Sequence, residues 1–184
     1  MNKWCFLVMS AAFFFVSQRV AGANEGVWIL VDTQKQILEI KLGEETVEVL
    51  KNIAIGRNGA GYKRRRGDEV TPIGEYTITW VNDKSQFYRF YGFDYPSVEN
   101  AKKALANNLV TKKSYSSIID AHQKNLLPPQ NTKIGGKIGI HGLGDGNKRL
   151  HKTMNWTRGC IALTNEQIDL LDLWISKGTQ VIIK

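Results

Sequence analysis

Apolar and polar residues alternate with period two in Leu38-Glu39-Ile40-Lys41-Leu42 and again in Tyr76-Thr77-Ile78-Thr79-Trp80. Successive side chains of a strand point to opposite faces, so this alternation predicts strands buried on one side. Val27 to Val31 is a β-prone apolar run and predicts a further strand. Gly43-Glu44-Glu45 predicts a hairpin turn, after which Thr46 to Ile55 returns as the pairing partner with Val47 and Val49 on one face. The glycine-rich stretch Gly56 to Gly61 ends it. Strand character resumes in Lys137-Ile138-Gly139-Ile140 and closes the chain at Gln180 to Ile183.

The period lengthens to that of a helix in two places. Between residues 82 and 135, Ser97 precedes Ala101, Ala104 and Leu105, and Ile118, Ile119 and His122 mark another turn before Pro128-Pro129 stops it. Few large apolar residues occur there, so a helical insertion or lid is expected, not a second domain with its own core. His122 is expected at the surface. Near the C-terminus, Thr164-Asn165-Glu166-Gln167 has the form of a capping box. Ile168, Leu171, Trp174 and Ile175 would give the helix an apolar face, and Lys177-Gly178 would stop it.

The first residues have a different pattern. After Lys3, Trp4 to Val16 carries no charge, and Ala21-Gly22-Ala23 supplies small residues at a cleavage position, so residues 1–23 are expected to be a secretory signal peptide and 24–184 one exported domain. The apolar run is shorter than the ~20 residues a membrane span needs. With 17 Gly, 4 Pro and 2 Cys in 184 residues, collagen-like, low-complexity and disulfide-stapled architectures are excluded. The formal charge of +8 is concentrated partly in Lys63-Arg64-Arg65-Arg66. No aromatic residues interleave with that run, so it reads as a solvated loop facing an anionic surface, not as a nucleic-acid site.

Cys5 falls in the expected signal peptide, which leaves Cys160 as the one thiol of the exported domain and allows no intramolecular disulfide. Such a thiol is inert and buried, bridged to another molecule, or reactive. Its setting favours the last. Cys160 follows Thr157-Arg158-Gly159 on a turn close to the start of the last helix, where a helix N-terminus and Arg158 are expected to lower a thiol pKa. The N–H groups of Gly159 and Cys160 are candidate donors to an oxyanion. Of the three remaining histidines, His141 has the best setting for a base, at the end of a strand and before Gly142, whose carbonyl would orient the ring. Asp145 is a substitute orienting group, and His151 a rival base in a loop. Paired zinc-ligand spacings and a phosphate-binding glycine loop are both missing, so neither a metal nor another cofactor is expected.

These residues resemble the L,D-transpeptidases, the YkuD-type catalytic domain of bacterial cell-wall enzymes, along nearly all of the exported chain. The likeness rests on Trp28 to Leu42 as an opening hairpin, Thr71-Pro72-Ile73-Gly74-Glu75-Tyr76, Phe93-Asp94-Tyr95-Pro96, Ile140-His141-Gly142 and Thr157-Arg158-Gly159-Cys160. It implies a mainly β sandwich or barrel of mixed sheets, with a helical lid and a C-terminal helix. It further implies Cys160 as nucleophile, His141 as base, the Gly142 carbonyl as the group orienting it, and Thr157, Arg158 and Tyr76 against the substrate. The implied reaction is attack on a peptidoglycan tetrapeptide stem with loss of D-alanine, leaving an acyl thioester for an amine to resolve. That amine belongs to a second stem or an anchored wall protein, and the setting is the periplasm or cell wall. Water in place of the amine would make the protein a hydrolase, an L,D-carboxypeptidase or a crosslink-cutting amidase. A basic wall-binding module without catalysis is the reading from another class. Two positions depart from the family pattern: Arg158 stands where many members have His, and Ala162 where they have Arg.

Overall fold

The computed structural model describes residues 26–184; the expected signal peptide and Cys5 lie outside the described residues. The strands read from the apolar run, the alternation and the hairpin turn are present as β1 (Val27–Asp32), β2 (Ile37–Leu42) and β3 (Glu45–Lys51). Two short strands follow, β4 (Ala60–Gly61) and β5 (Thr71–Pro72), then the long hairpin of β6 (Gly74–Ser85) and β7 (Tyr88–Phe93). Helices α1 (Val98–Ala106) and α2 (Lys112–Gln123) make the insertion. The remainder is β8 (Gly139–His141), α3 (Lys148–Thr153), β9 (Ile161–Ala162), α4 (Asn165–Asp172) and β10 (Gln180–Ile183).

Eight strands form one mixed sheet in the order β3-β2-β1-β10-β6-β7-β8-β9, parallel at β1–β10 and β8–β9 and antiparallel elsewhere. Strands β4 and β5 make a separate parallel pair. The chain leaving β3 crosses to the opposite edge, where Ala54 and Ala162 exchange backbone hydrogen bonds of 3.0 and 2.7 Å and the Arg57 N–H donates to the Thr157 carbonyl at 2.9 Å. The two edges are thereby joined and β9 does not present an open ladder. This barrel-like closure also draws the Thr157–Cys160 turn against the chain that follows β3.

The inward faces of β1, β2, β6, β8, β9 and β10 supply Ile29, Val31, Leu38, Ile40, Ile78, Ile140, Ile161 and Val181 to one core, covered by Ile168 and Leu171 of α4. Thr164 caps α4 through a reciprocal capping box with Gln167, as the sequence predicts. The helix ends at Asp172, so Trp174 and Ile175 lie beyond it.

Two expectations are corrected. Val47 and Val49 do not form a buried face: the β2–β3 pairing slips between Ile40 and Lys41, leaving Val47 as an extra residue. That bulge reverses the alternation, so Leu50 is buried and Val49 is exposed. The insertion also has a small core after all, where Ala104, Val110 and Ile134 pack with Leu105, Leu109 and Tyr115. His122 is half-buried, with Nε2 at 2.8 Å from the Pro96 carbonyl.

Candidate active site

Strands β8 and β9 run parallel with Ile140 opposite Ile161, and both side chains are fully buried in the core. His141 follows one of these residues and Cys160 precedes the other, so the pleat turns both toward the opposite face. Two residues of rise at ~3.3 Å and one strand spacing of ~4.8 Å put their Cα atoms about 8 Å apart, a gap that an imidazole and a thiol can span. Both side chains line one cleft of about 420 Å³ with Gln86, Phe87, Trp156, Thr157 and Arg158.

His141 is held from all sides. Its Nδ1 lies 2.7 Å from the Gly142 carbonyl, which can only accept, so Nδ1 carries the proton and Nε2 keeps a lone pair. The ring is 4.5 Å from Phe87, 5.7 Å from Trp156 and 6.0 Å from Phe90, centroid to centroid. Burial among these rings pushes the imidazole down to about 4, so it is neutral at pH 7. A side chain at Gly142 would meet the Phe87 carbonyl at 2.8 Å and Asn165 Oδ1 at 2.9 Å. Asn165, the first residue of α4, fixes the loop after Gly142: Oδ1 accepts from the N–H groups of Leu143 (3.0 Å) and Gly144 (2.9 Å), and Nδ2 donates to the Gly144 carbonyl (3.0 Å). Asp145 makes no contact with His141 and lines a neighbouring cleft.

The Thr157–Cys160 turn is equally constrained. Gly159 has φ +125°, and a Cβ there would lie 2.8 Å from the Val70 carbonyl, so only glycine fits. The Cys160 thiol donates to the Lys137 carbonyl at 3.5 Å and accepts from the Gly139 N–H. The expected lowering of its pKa is not found: burial pushes the thiol up to about 11, against the pull of the Gly139 N–H and the Lys63 charge. Helix α4 begins only at Asn165, beyond the first-turn reach of its dipole. Arg158 is exposed, where water screens it.

Three other assignments change on inspection of the geometry. The Gly159 N–H donates to Thr157 Oγ1 at 3.1 Å, so that donor is not free for an oxyanion. The Thr157 hydroxyl also donates to the Cys160 carbonyl at 2.7 Å, which makes Thr157 a turn-shaping residue at the wall of the cleft. Tyr76 is not brought to the cleft at all. It is 3% exposed, stacks on Phe93, and its hydroxyl bonds to the Ile73 carbonyl and Asn100 Oδ1. Its place on the inner face of β6 makes it a core residue. Arg158 does line the cleft and has no ion-pair partner among the described residues. His151 sits on α3, not in a loop; its Nδ1 accepts from Trp156 Nε1 at 3.3 Å, and it lines the cleft that adjoins the one holding Cys160.

Sequence reasoning missed the aromatic residues around His141. Phe87 and Trp156 lie outside any periodic stretch, and only the meeting of the β6–β7 turn with the chain before β9 brings them together. Of the 82–135 segment, it is this turn that reaches the site, through Gln86 and Phe87; α1 and α2 do not line the cleft. Asn165 did carry a signal, as part of the capping box. The basic run was only partly a solvated loop: Arg64, Arg65 and Arg66 are exposed, but Lys63 is 4% exposed.

Solved structures with a similar fold include Pgp2 of Campylobacter jejuni, a helical cell shape determining protein, at 23% identity and TM-score 0.58, covering 86% of this chain and 47% of that one. Bd1075 of Bdellovibrio bacteriovorus matches at 18% identity and TM-score 0.55, covering 86% and 48%. The C442S mutant of an Enterococcus faecium L,D-transpeptidase matches at 13% identity and TM-score 0.51, covering 86% and 50%. The chain thus spans about half the length of these proteins. No curated protein is significantly similar in sequence. The model of the L,D-transpeptidase catalytic domain, YkuD, matches residues 26–183, and the chain belongs to that family.

Proposed function

We propose that the protein transfers an acyl group of a peptidoglycan stem peptide through a thioester on Cys160. The observation that carries this reading is the placement of Cys160 and His141 on one face of β8–β9, in one cleft, with the imidazole fixed by the Gly142 carbonyl. The resting pair is a neutral thiol and a neutral imidazole. As sulfur attacks the stem carbonyl, His141 Nε2 takes the thiol proton and the carbonyl oxygen becomes an oxyanion. The Cys160 N–H, engaged by no other described residue, serves as a donor to that oxygen; one such donor contributes about 3–4 kcal/mol. Collapse breaks the bond to D-alanine, whose nitrogen takes the proton from His141, and the acyl thioester remains. The incoming amine then gives its proton to His141 and displaces the sulfur, and His141 returns that proton to the thiolate to restore the resting pair. Arg158, exposed at the cleft wall, pairs with a stem carboxylate.

We place the exported domain at residues 24–184 in the periplasm or cell wall, with stem peptides as donors and a second stem or an anchored wall protein as acceptor. No described helix is long and apolar enough to cross a membrane. Mass spectrometry of the protein and its Cys160→Ala variant with a disaccharide-tetrapeptide tests the reading. Crosslinked dimer with loss of D-alanine, absent in the variant, is the expected result. Tripeptide without dimer would assign water as acceptor. Failure to acylate Cys160 with either tetrapeptide or crosslinked sacculi would overturn the proposal.

A further inference from the structure

Lys63 opens the basic run, yet its side chain is buried where its three arginine neighbours are exposed. Burying an ammonium is costly unless it is paired and hydrogen-bonded. Both conditions are met: Nζ pairs with Asp68 and donates to the Val70 carbonyl at 3.3 Å. Asp68 is itself anchored, with Oδ2 accepting from the N–H groups of Arg64 (2.8 Å) and Arg65 (3.1 Å). The 63–70 loop is therefore a closed unit around one ion pair. It is seated directly behind the nucleophile turn, since a Cβ at Gly159 would lie 3.5 Å from Lys63 Nζ and 2.8 Å from the Val70 carbonyl.

We propose that Lys63 is a positioning residue for the nucleophile: clamped by Asp68 and Val70, its ammonium braces the Thr157–Cys160 turn from behind and stabilises the sulfur as negative charge develops on it. The other titratable or charged groups around the thiol do not supply this. His141 is neutral at pH 7, Arg158 is exposed, and Lys137 touches the thiol through its backbone carbonyl. Gln86, Phe87 and Trp156 across the cleft carry no charge. The fixed charge of Lys63 acts on a sulfur that burial otherwise holds in its protonated form, with Asp68 behind it as counter-charge. The role rests on Cys160 being the nucleophile, but its test needs no peptidoglycan turnover, so a failure of the proposed reaction and a failure of this inference are told apart.

The experiment is the pH dependence of iodoacetamide alkylation, read at the Cys160 peptide by mass spectrometry, alongside thermal unfolding. Lys63→Met/Asp68→Asn removes both charges and leaves neither buried alone. Its expected profile is shifted up by about one pH unit, which is about tenfold slower alkylation at pH 8. Lys63→Arg, which retains the charge, is expected to follow the wild-type profile even if it lowers the melting temperature. A double variant that superimposes on wild type would overturn the proposal. So would a Lys63→Arg profile displaced upward from wild type by about one pH unit, which decides the matter even if the double variant fails to fold.

Discussion

The role proposed for His141 as a base requires a neutral imidazole, and that neutrality depends on the aromatic enclosure. Moving the group from its ordinary 6.5 to about 4 disfavours the charged form by about 3 kcal/mol. The unfolded chain takes up this proton below about 6.5 and the folded chain only below about 4. Between those values the unfolded state binds more protons, so folding stability falls as pH falls and the loss is complete below about 4. Phe87, whose ring centre lies 4.5 Å from that of His141, is one of three rings excluding water. Phe87→Ala should restore part of the solvation and raise the titration midpoint by roughly one pH unit, about 1.4 kcal/mol. Ring-proton NMR titration, with the resonance assigned by its loss in His141→Asn, measures both proteins. The acid limb of kcat/KM should move with it. A wild-type His141 titrating near its ordinary value, or a midpoint unmoved in Phe87→Ala, would refute the reasoning.

Three further outcomes follow from single side chains. Asn165→Ala removes three hydrogen bonds from the loop after Gly142, so it should cost about 2 kcal/mol and lower kcat as the orienting carbonyl drifts, checked by thermal unfolding and steady-state kinetics. Tyr76→Phe should lose about 1 kcal/mol of stability with kcat/KM unchanged, because its hydroxyl serves the core; a rise in KM would restore a substrate role. Arg158→Ala should raise KM for a carboxylate-bearing donor about tenfold with little change in melting temperature, and unchanged kinetics would remove Arg158 from substrate binding.

Local chemistry made much of this legible in the residues themselves. Period-two alternation gives β2 and the core of β6, and a β-prone apolar run gives β1, because a strand repeats every two residues whatever surrounds it. Thr164 to Gln167 marks the helix start because a capping box is closed within four residues. The contact between His141 and the Gly142 carbonyl was readable for the same reason, since the partners are adjacent.

What depended on residues far apart was not readable. Lys63 looked solvated with its arginine neighbours until Asp68, Val70 and Gly159 were placed around it. Tyr76 ends the Thr71–Tyr76 segment that helps carry the family resemblance, but the pleat of β6 turns it into the core. The thiol's basic neighbour suggested a lowered pKa, whereas its sign is a sum over burial, screening and every nearby dipole, which here favours the protonated form. The sequence by itself determined the main strands, the capped last helix and the choice of Cys160 and His141 as candidates, because those follow from local periodicity and residue type. Only the tertiary structure decided where each side chain points, which donors are already taken and which charges are dry, because these depend on distances between strands that the chain order does not contain.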